Sequence, residues 1–303
     1  MDKPRIDEPT GTGFVGHEWD GIEELDTPMP RWWLWTLYAT IIFAIGYVVA
    51  YPALPGLDGA TPGVLGWTSH GQLAQETAVE ARRLAPVHKA IAASSLAGLL
   101  ANPKLLHAAE EGGRAAFKVH CVQCHGSGAA GSKGYPNLND DDWLWGGDIE
   151  AIHATLVNGI RQPGNDATRM SQMPAFGRDG ILTPAQIQDV VSHVRTLSGR
   201  EPVSPSARSG AALFAQNCAV CHGDSGEGNR TLGAPNLTDG IWLYGGDRAA
   251  IKATIVNARY GVMPAWGQRL DPVTVKMLAA YVHSLGGGEA IPKPVETAAN
   301  VAH

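Results

Sequence analysis

The four cysteines of this chain occupy two equivalent settings, Cys121-Val122-Gln123-Cys124-His125 and Cys218-Ala219-Val220-Cys221-His222. Two thiols three positions apart on one helical turn face the same side, where both can form thioethers with the vinyl carbons of a haem. The histidine that follows then lies under the iron. A single C-x-x-C also suits half of a zinc site or a redox dithiol. A zinc ribbon, however, brings its second pair roughly 15–20 residues later, whereas a domain's length of chain separates Cys124 from Cys218. The expected chemistry is therefore two covalently attached c-type haems. One is held by Cys121 and Cys124 and the other by Cys218 and Cys221, with His125 and His222 as proximal iron ligands.

An iron with one histidine needs a sixth ligand, or must leave that position open for chemistry. Met173-Pro174-Ala175-Phe176-Gly177 is answered by Met263-Pro264-Ala265-Trp266-Gly267. Core packing is the commoner role of a methionine, but recurrence in both segments makes these two the candidates. Read in chain order, Met173 serves the first iron with His125 and Met263 the second with His222. A thioether is soft and neutral, so it favours ferrous iron, raises the potential and closes the site to substrate. Met170 lies three residues before Met173 and has no counterpart in the second copy. His120, His153, His193 and His283 do not recur in equivalent positions and read as surface or helix residues. Pro136-Asn137-Leu138 and Pro235-Asn236-Leu237 also recur, and each proline carbonyl is placed to accept a hydrogen bond from the proximal imidazole. Trp143 and Trp242 either pack on haem or donate an indole N–H to a propionate.

Positioning these groups requires a repeated unit. Glu110 to Phe117 is answered by Ala207 to Phe214 before the haem motifs, and Trp143-Leu144-Trp145-Gly146-Gly147-Asp148 by Trp242-Leu243-Tyr244-Gly245-Gly246-Asp247 after them. Each copy closes on an apolar helical pattern, Ile187 to Leu197 and Val275 to Leu285. The copies thus span 108–200 and 204–288, joined by a Pro/Gly linker, with a flexible tail at 289–303. Upstream, residues 55–107 form a linker: a Gly/Pro stretch, then alanine-rich sequence interrupted by Pro86 and Pro103, read as two short helices or a solvated spacer.

Trp32 to Ala53 contains 22 residues without a charge. As a helix that run extends about 33 Å, which matches a hydrocarbon core of about 30 Å, and aromatic residues gather at its ends. A signal peptide would start basic and carry only about 7–15 apolar residues. Residues 31–54 are therefore expected to cross a membrane uncleaved, after an extended polar tail at 1–30. Lys3, Arg5 and Arg31 precede the span and residues 54–75 contain no lysine or arginine, which places the N-terminus in the cytoplasm and the haem domains in the periplasm. The formal charge of −6 and the lack of any basic stripe exclude nucleic acid as a partner.

In this order, polar tail, tryptophan-rich anchor, helical spacer and two haem units, the chain resembles the membrane-anchored dihaem cytochrome c subunit (subunit III, CcoP/FixP-type) of cbb3-type cytochrome c oxidase. The tail His17-Glu18-Trp19-Asp20-Gly21-Ile22-Glu23-Glu24-Leu25-Asp26, followed by Pro28-Met29-Pro30-Arg31-Trp32-Trp33, is its most family-specific part. The resemblance implies a mainly α fold with one N-terminal transmembrane helix in the bacterial inner membrane and two tandem class I cytochrome c domains. It also implies an electron relay, without a catalytic site of its own. Electrons would pass from a donor cytochrome c through both haems to the monohaem subunit and the catalytic haem–copper subunit of a proton-pumping, oxygen-reducing complex. A self-standing dihaem carrier serving another dehydrogenase or reductase shares the haem motifs but has no reason to keep the tail. A dihaem peroxidase needs an open iron, which paired methionines argue against.

Overall fold

The computed structural model describes residues 5–57 and 59–292 and divides the chain into two units, at Arg83 and Leu84. The chain is mainly helical, with two small hairpins in the first unit.

In the first unit the tail is not simply extended. Strands β1 (Phe14–Trp19) and β2 (Ile22–Leu25) pair antiparallel, with Trp19 opposite Ile22. The two-residue loop Asp20-Gly21 has positive φ at both positions, 51° and 85°, the conformation that lets a tight turn follow the twist of its strands. Both Trp19 and Ile22 remain exposed, so the hairpin builds no core. Helix α1 (Arg31–Ala50) follows. None of its side chains is buried by protein, and it is long and apolar enough to cross a membrane. Its two threonines turn their hydroxyls inward, Thr36 to the Trp32 carbonyl at 2.9 Å and Thr40 to that of Leu37 at 2.8 Å, so that neither hydroxyl is left unpaired. A minimal hairpin, β3 (Pro55–Gly56) with β4 (Gly59–Ala60), then turns the chain back. Val64 and Leu65 donate to the last carbonyls of α1, on Val49 and Ala50, and so satisfy groups that a helix end leaves orphaned.

Helix α2 (Ser69–Ala93) runs on through Pro86 as a single element, where two short helices were expected. Pro103 does not interrupt a helix either: it is the first residue of α4 (Pro103–His120), after the short α3 (Leu96–Leu100), with Asn102 capping the Leu105 N–H. The same cap-then-proline start recurs later at Thr183-Pro184, Ser204-Pro205 and Asp271-Pro272, where proline costs no hydrogen bond. Most of α2 is exposed, as a spacer would be, but the stretch from Ile91 onward is not solvated. Ile91, Leu96 and Leu99 are fully or nearly fully buried in the core that also holds Phe117 and Ile152.

The second unit contains α4, the turn α5 (Val122–His125), α6 (Ile149–Asn158), α7 (Pro184–Leu197), α8 (Pro205–Asn217), the turn α9 (Ala219–His222), α10 (Arg248–Asn257) and α11 (Pro272–His283). The helices pair across the repeat. The opening helix of the first copy, α4, packs on the closing helix of the second, α11, while α7 of the first packs on α8 of the second. Gly113 lies against the Met277 carbonyl and the Tyr281 side chain, and its counterpart Gly210 against the Asp189 carbonyl and the His193 side chain. Phe117 meets the Tyr281 ring edge-on at 5.4 Å, and Phe214 meets His193 at 5.2 Å. Two cores result, one around α4, α6 and α11 and one around α7, α8 and α10. The copies at 108–200 and 204–288 therefore do not close on themselves; they exchange their last helices. Only seven residues, 198–204, separate α7 from α8, a connection short enough to pack sequence neighbours on each other.

The expected tail at 289–303 is anchored where it begins. Glu289 accepts from the Gly147 N–H at 2.8 Å and pairs with Arg230 at 2.7 Å, and Ile291 packs on the first core. Its continuation from residue 293 lies outside the described residues.

Candidate haem sites

Both haem motifs form one helical turn directly after an opening helix. Cys121 caps the end of α4, and the His125 N–H donates to the Cys121 carbonyl at 2.9 Å; Cys218, the cap of α8, and His222 repeat this at 2.9 Å. The turn sets both thiols and the imidazole on one side. Past it, the Gly131 N–H donates to the His125 carbonyl and that of Gly228 to the His222 carbonyl. Both glycines have positive φ, and a Cβ there would meet the carbonyls of Tyr135 or Ala234 within 2.4 and 2.6 Å. That tight return carries the following proline under the imidazole. His125 Nδ1 donates to the Pro136 carbonyl at 3.1 Å and His222 Nδ1 to that of Pro235 at 3.0 Å. This tautomer frees Nε2 as a ligand. Burial pushes both histidines below their usual range, with the proline carbonyl pulling the other way. The neutral imidazole that iron requires is therefore the favoured form.

Burial, reinforced by the neighbouring cysteine, pushes the Cys121 and Cys218 thiols up to about 11. Neither is the stabilised thiolate of a zinc or redox site. Among the described residues no three His, Cys, Asp or Glu side chains converge on a metal-sized point.

The methionines fall on the opposite partners from those that chain order suggests. Met173 lines a cavity of about 640 Å³ together with Cys218, Cys221 and His222, and packs in the core that holds Phe214 and Val190. Met263 packs against the core that holds Phe117 and Cys121, and its backbone exchanges both hydrogen bonds with Ile160 at 3.0 Å. The expectation of Met173 beside His125 and Met263 beside His222 is thus corrected. Each methionine precedes its own closing helix, and that helix has crossed to the other lobe. Met170 is 67% exposed and does not compete with Met173. His120 packs on Trp266 and His193 on Phe214, while His283 bonds to the Glu289 carbonyl, so none of the three is placed as a ligand.

Two arginines were not singled out from the sequence. Arg169 donates to the Ala151 carbonyl beside the Trp145 ring, and Arg259 to the Ala250 carbonyl beside the Tyr244 ring. The signal was present: each stands four residues before its methionine. It is hidden by alignment on the haem motif, because the loops before them differ in length.

Each lobe also retains a buried donor without a partner among the described residues, Arg169 Nε in the first and Trp242 Nε1 in the second. Leaving such a donor unpaired costs about 1–3 kcal/mol, and a haem propionate is the acceptor that the setting suits. In the first lobe, Trp143 Nε1 is satisfied by the Gly287 carbonyl at 2.6 Å. The second cavity's walls, Phe176, Val190, Val194, Ile251 and Ile255, are apolar on both sides of the cysteine–histidine turn. The residues present fit a covalently held haem.

Known proteins resemble the chain along most of its length. Residues 11–58 match the family model for the N-terminal domain of cytochrome oxidase-cbb3, FixP; residues 110–198 match cytochrome c; and residues 205–282 match subunit III of cbb3-type cytochrome c oxidase. The cbb3-type oxidase subunit CcoP of Cereibacter sphaeroides is 51% identical, over 95% of this chain and 99% of its own. Subunit FixP of Azorhizobium caulinodans is 52% identical over 94% of this chain and 96% of its own, and FixP of a Bradyrhizobium species 51% over 95% and 99%.

Proposed function

Because the chain belongs to the CcoP/FixP family of cbb3-type cytochrome c oxidase subunits, and is thus a membrane-anchored electron-transfer subunit binding haem c, we propose that it carries two haems with exchanged axial ligands. His125 and Met263 would hold one iron, and His222 and Met173 the other. The observation that carries this reading is Met173 in one cavity with Cys218, Cys221 and His222.

When bound, haem c supplies a one-electron ferric/ferrous couple. The protein orients each imidazole through a proline carbonyl, and each methionine would offer a thioether that favours the ferrous form. Apolar side chains, among them Phe176, Val190 and Ile251, line the second site, and the unpaired indole N–H of Trp242 stands beside that cavity as a donor for a propionate. The chain then takes electrons from a donor cytochrome c and delivers them to the monohaem and haem–copper subunits. Loss of positive charge after α1 supports a cytoplasmic N-terminus and periplasmic haems. The match over residues 11–58 favours a place in the oxidase over a self-standing carrier.

The decisive test is a chain with Cys121→Ala and Cys124→Ala, which keeps only the second haem. Adding Met173→Ala is expected to abolish the methionine-to-iron charge-transfer band and the shifted methionine methyl resonance, whereas adding Met263→Ala leaves both. The reverse result overturns the exchanged assignment.

A further inference from the structure

Arg161 sits where the two methionine loops pass each other. Its Nε donates to the Gly261 carbonyl at 2.7 Å and its Nη1 to the Ser171 carbonyl at 2.8 Å. Gly261 and Ser171 each stand two residues before a methionine, Met263 and Met173, so one guanidinium holds both loops at the same point. The main chain adds to the junction. The Arg161 N–H donates to the Arg169 carbonyl at 2.9 Å, and Ile160 is the residue that pairs with Met263.

Two further observations mark the position. Arg161 has a φ of 51°, a left-handed conformation that a non-glycine residue adopts at a cost of roughly 1–2 kcal/mol, so the surrounding contacts hold it there. It forms no ion pair among the described residues; its companion is the Tyr260 ring at 5.6 Å. The repeat offers no second copy of this device. Arg259 keeps to its own lobe, bonding Ala250 and Thr254.

We propose that Arg161 is a positioning residue common to both iron sites, fixing the reach of Met173 and of Met263 together from one planar fork. The two haem environments are then mechanically coupled at a single side chain. This rests on the reading that both methionines ligate iron. A guanidinium suits the task because its donors diverge in a fixed plane and stay charged. Lysine keeps the charge on a flexible stem and cannot reproduce that fork.

The test uses the full haem-loaded chain in detergent, with Arg161→Gln and Arg161→Lys. Each haem is followed by its methionine signature and by a potentiometric titration resolved by electron paramagnetic resonance. Arg161→Gln is expected to weaken both methionine signatures and to lower both potentials. A tenfold change in each ferric/ferrous ratio corresponds to about 59 mV for one electron. Arg161→Lys is expected to shift both haems in the same direction by less. A change confined to one haem, or to neither, overturns the proposal, as does full recovery at both haems by lysine, which would leave charge alone as the cause. Should Arg161→Gln fail to retain haem, the lysine variant decides by the same criteria. Met173→Ala and Met263→Ala run in parallel separate the two claims: if they leave the methionine signatures intact, the ligand assignment fails, whatever Arg161 does.

Discussion

Asp142 illustrates how burial without a partner shapes the chemistry of single residues here. It lies between the two recurring motifs of the first copy, and burial, then the charges of Asp239 and Asp140, push its carboxyl up to about 6, with Arg230 opposing. A carboxyl that holds its proton more tightly folded than unfolded, where it titrates near about 3.9, stabilises the fold fully below that value. Its contribution is lost as pH rises through about 6. Asp142→Asn cannot ionise and is expected to raise the apparent unfolding temperature at pH 7 by ~2–4 °C, about 1 kcal/mol after solvent screening. The gain should shrink at pH 5, and thermal melts of both chains at the two pH values check it. The proximal histidines show the opposite case. Each has a partner, a proline carbonyl, that selects the tautomer the iron needs.

At the level of elements, the helix crossings carry the architecture. Gly113 and Gly210 bring backbones into contact: a Cβ would stand 2.0 Å from the Met277 carbonyl at one crossing and 2.0 Å from the Asp189 carbonyl at the other. A carbonyl cannot rotate away, so alanine at either position forces the helices apart. Gly113→Ala and Gly210→Ala are each expected to cost about 3 kcal/mol and to reduce haem retention in the corresponding lobe. Gly112→Ala is the control, because its Cβ meets only the flexible Met277 side chain. Haem content and melting of the three variants distinguish a backbone clash from a general loss of glycine.

For the whole molecule, exchange of the closing helices makes each core, and with it each proposed iron site, depend on both copies. A fragment of residues 84–200 contains Cys121, Cys124, His125 and α4 but neither α11 nor Met263. It is expected to give a haem without the methionine signature seen in the full chain, whereas co-expression with residues 201–303 restores it. A monomeric fragment with an intact signature would show that the copies close on themselves. A wall of the second cavity also comes from the first copy's Tyr135, Pro136 and Leu144, and Pro136 is the residue whose carbonyl orients His125, which gives electron relay a structural basis.

The chemistry was legible in the chain itself. Cysteine spacing, the adjacent histidines, the recurrent prolines and methionines and the charge-free run each impose a local geometry that needs no knowledge of distant contacts. The Asp20-Gly21 turn and the paired arginines, four residues before each methionine, were legible too, as local as the signals that were read. The exchange of the closing helices was not. Because the copies repeat, α7 and α11 present similar apolar faces, and either can cover α4 or α8, so pattern alone leaves closure and exchange equivalent. Only tertiary packing separated them, through the seven-residue connection that sets α7 on α8, the glycine contacts at each crossing, and Arg161, which has no counterpart in the repeat and joins the two loops where they cross.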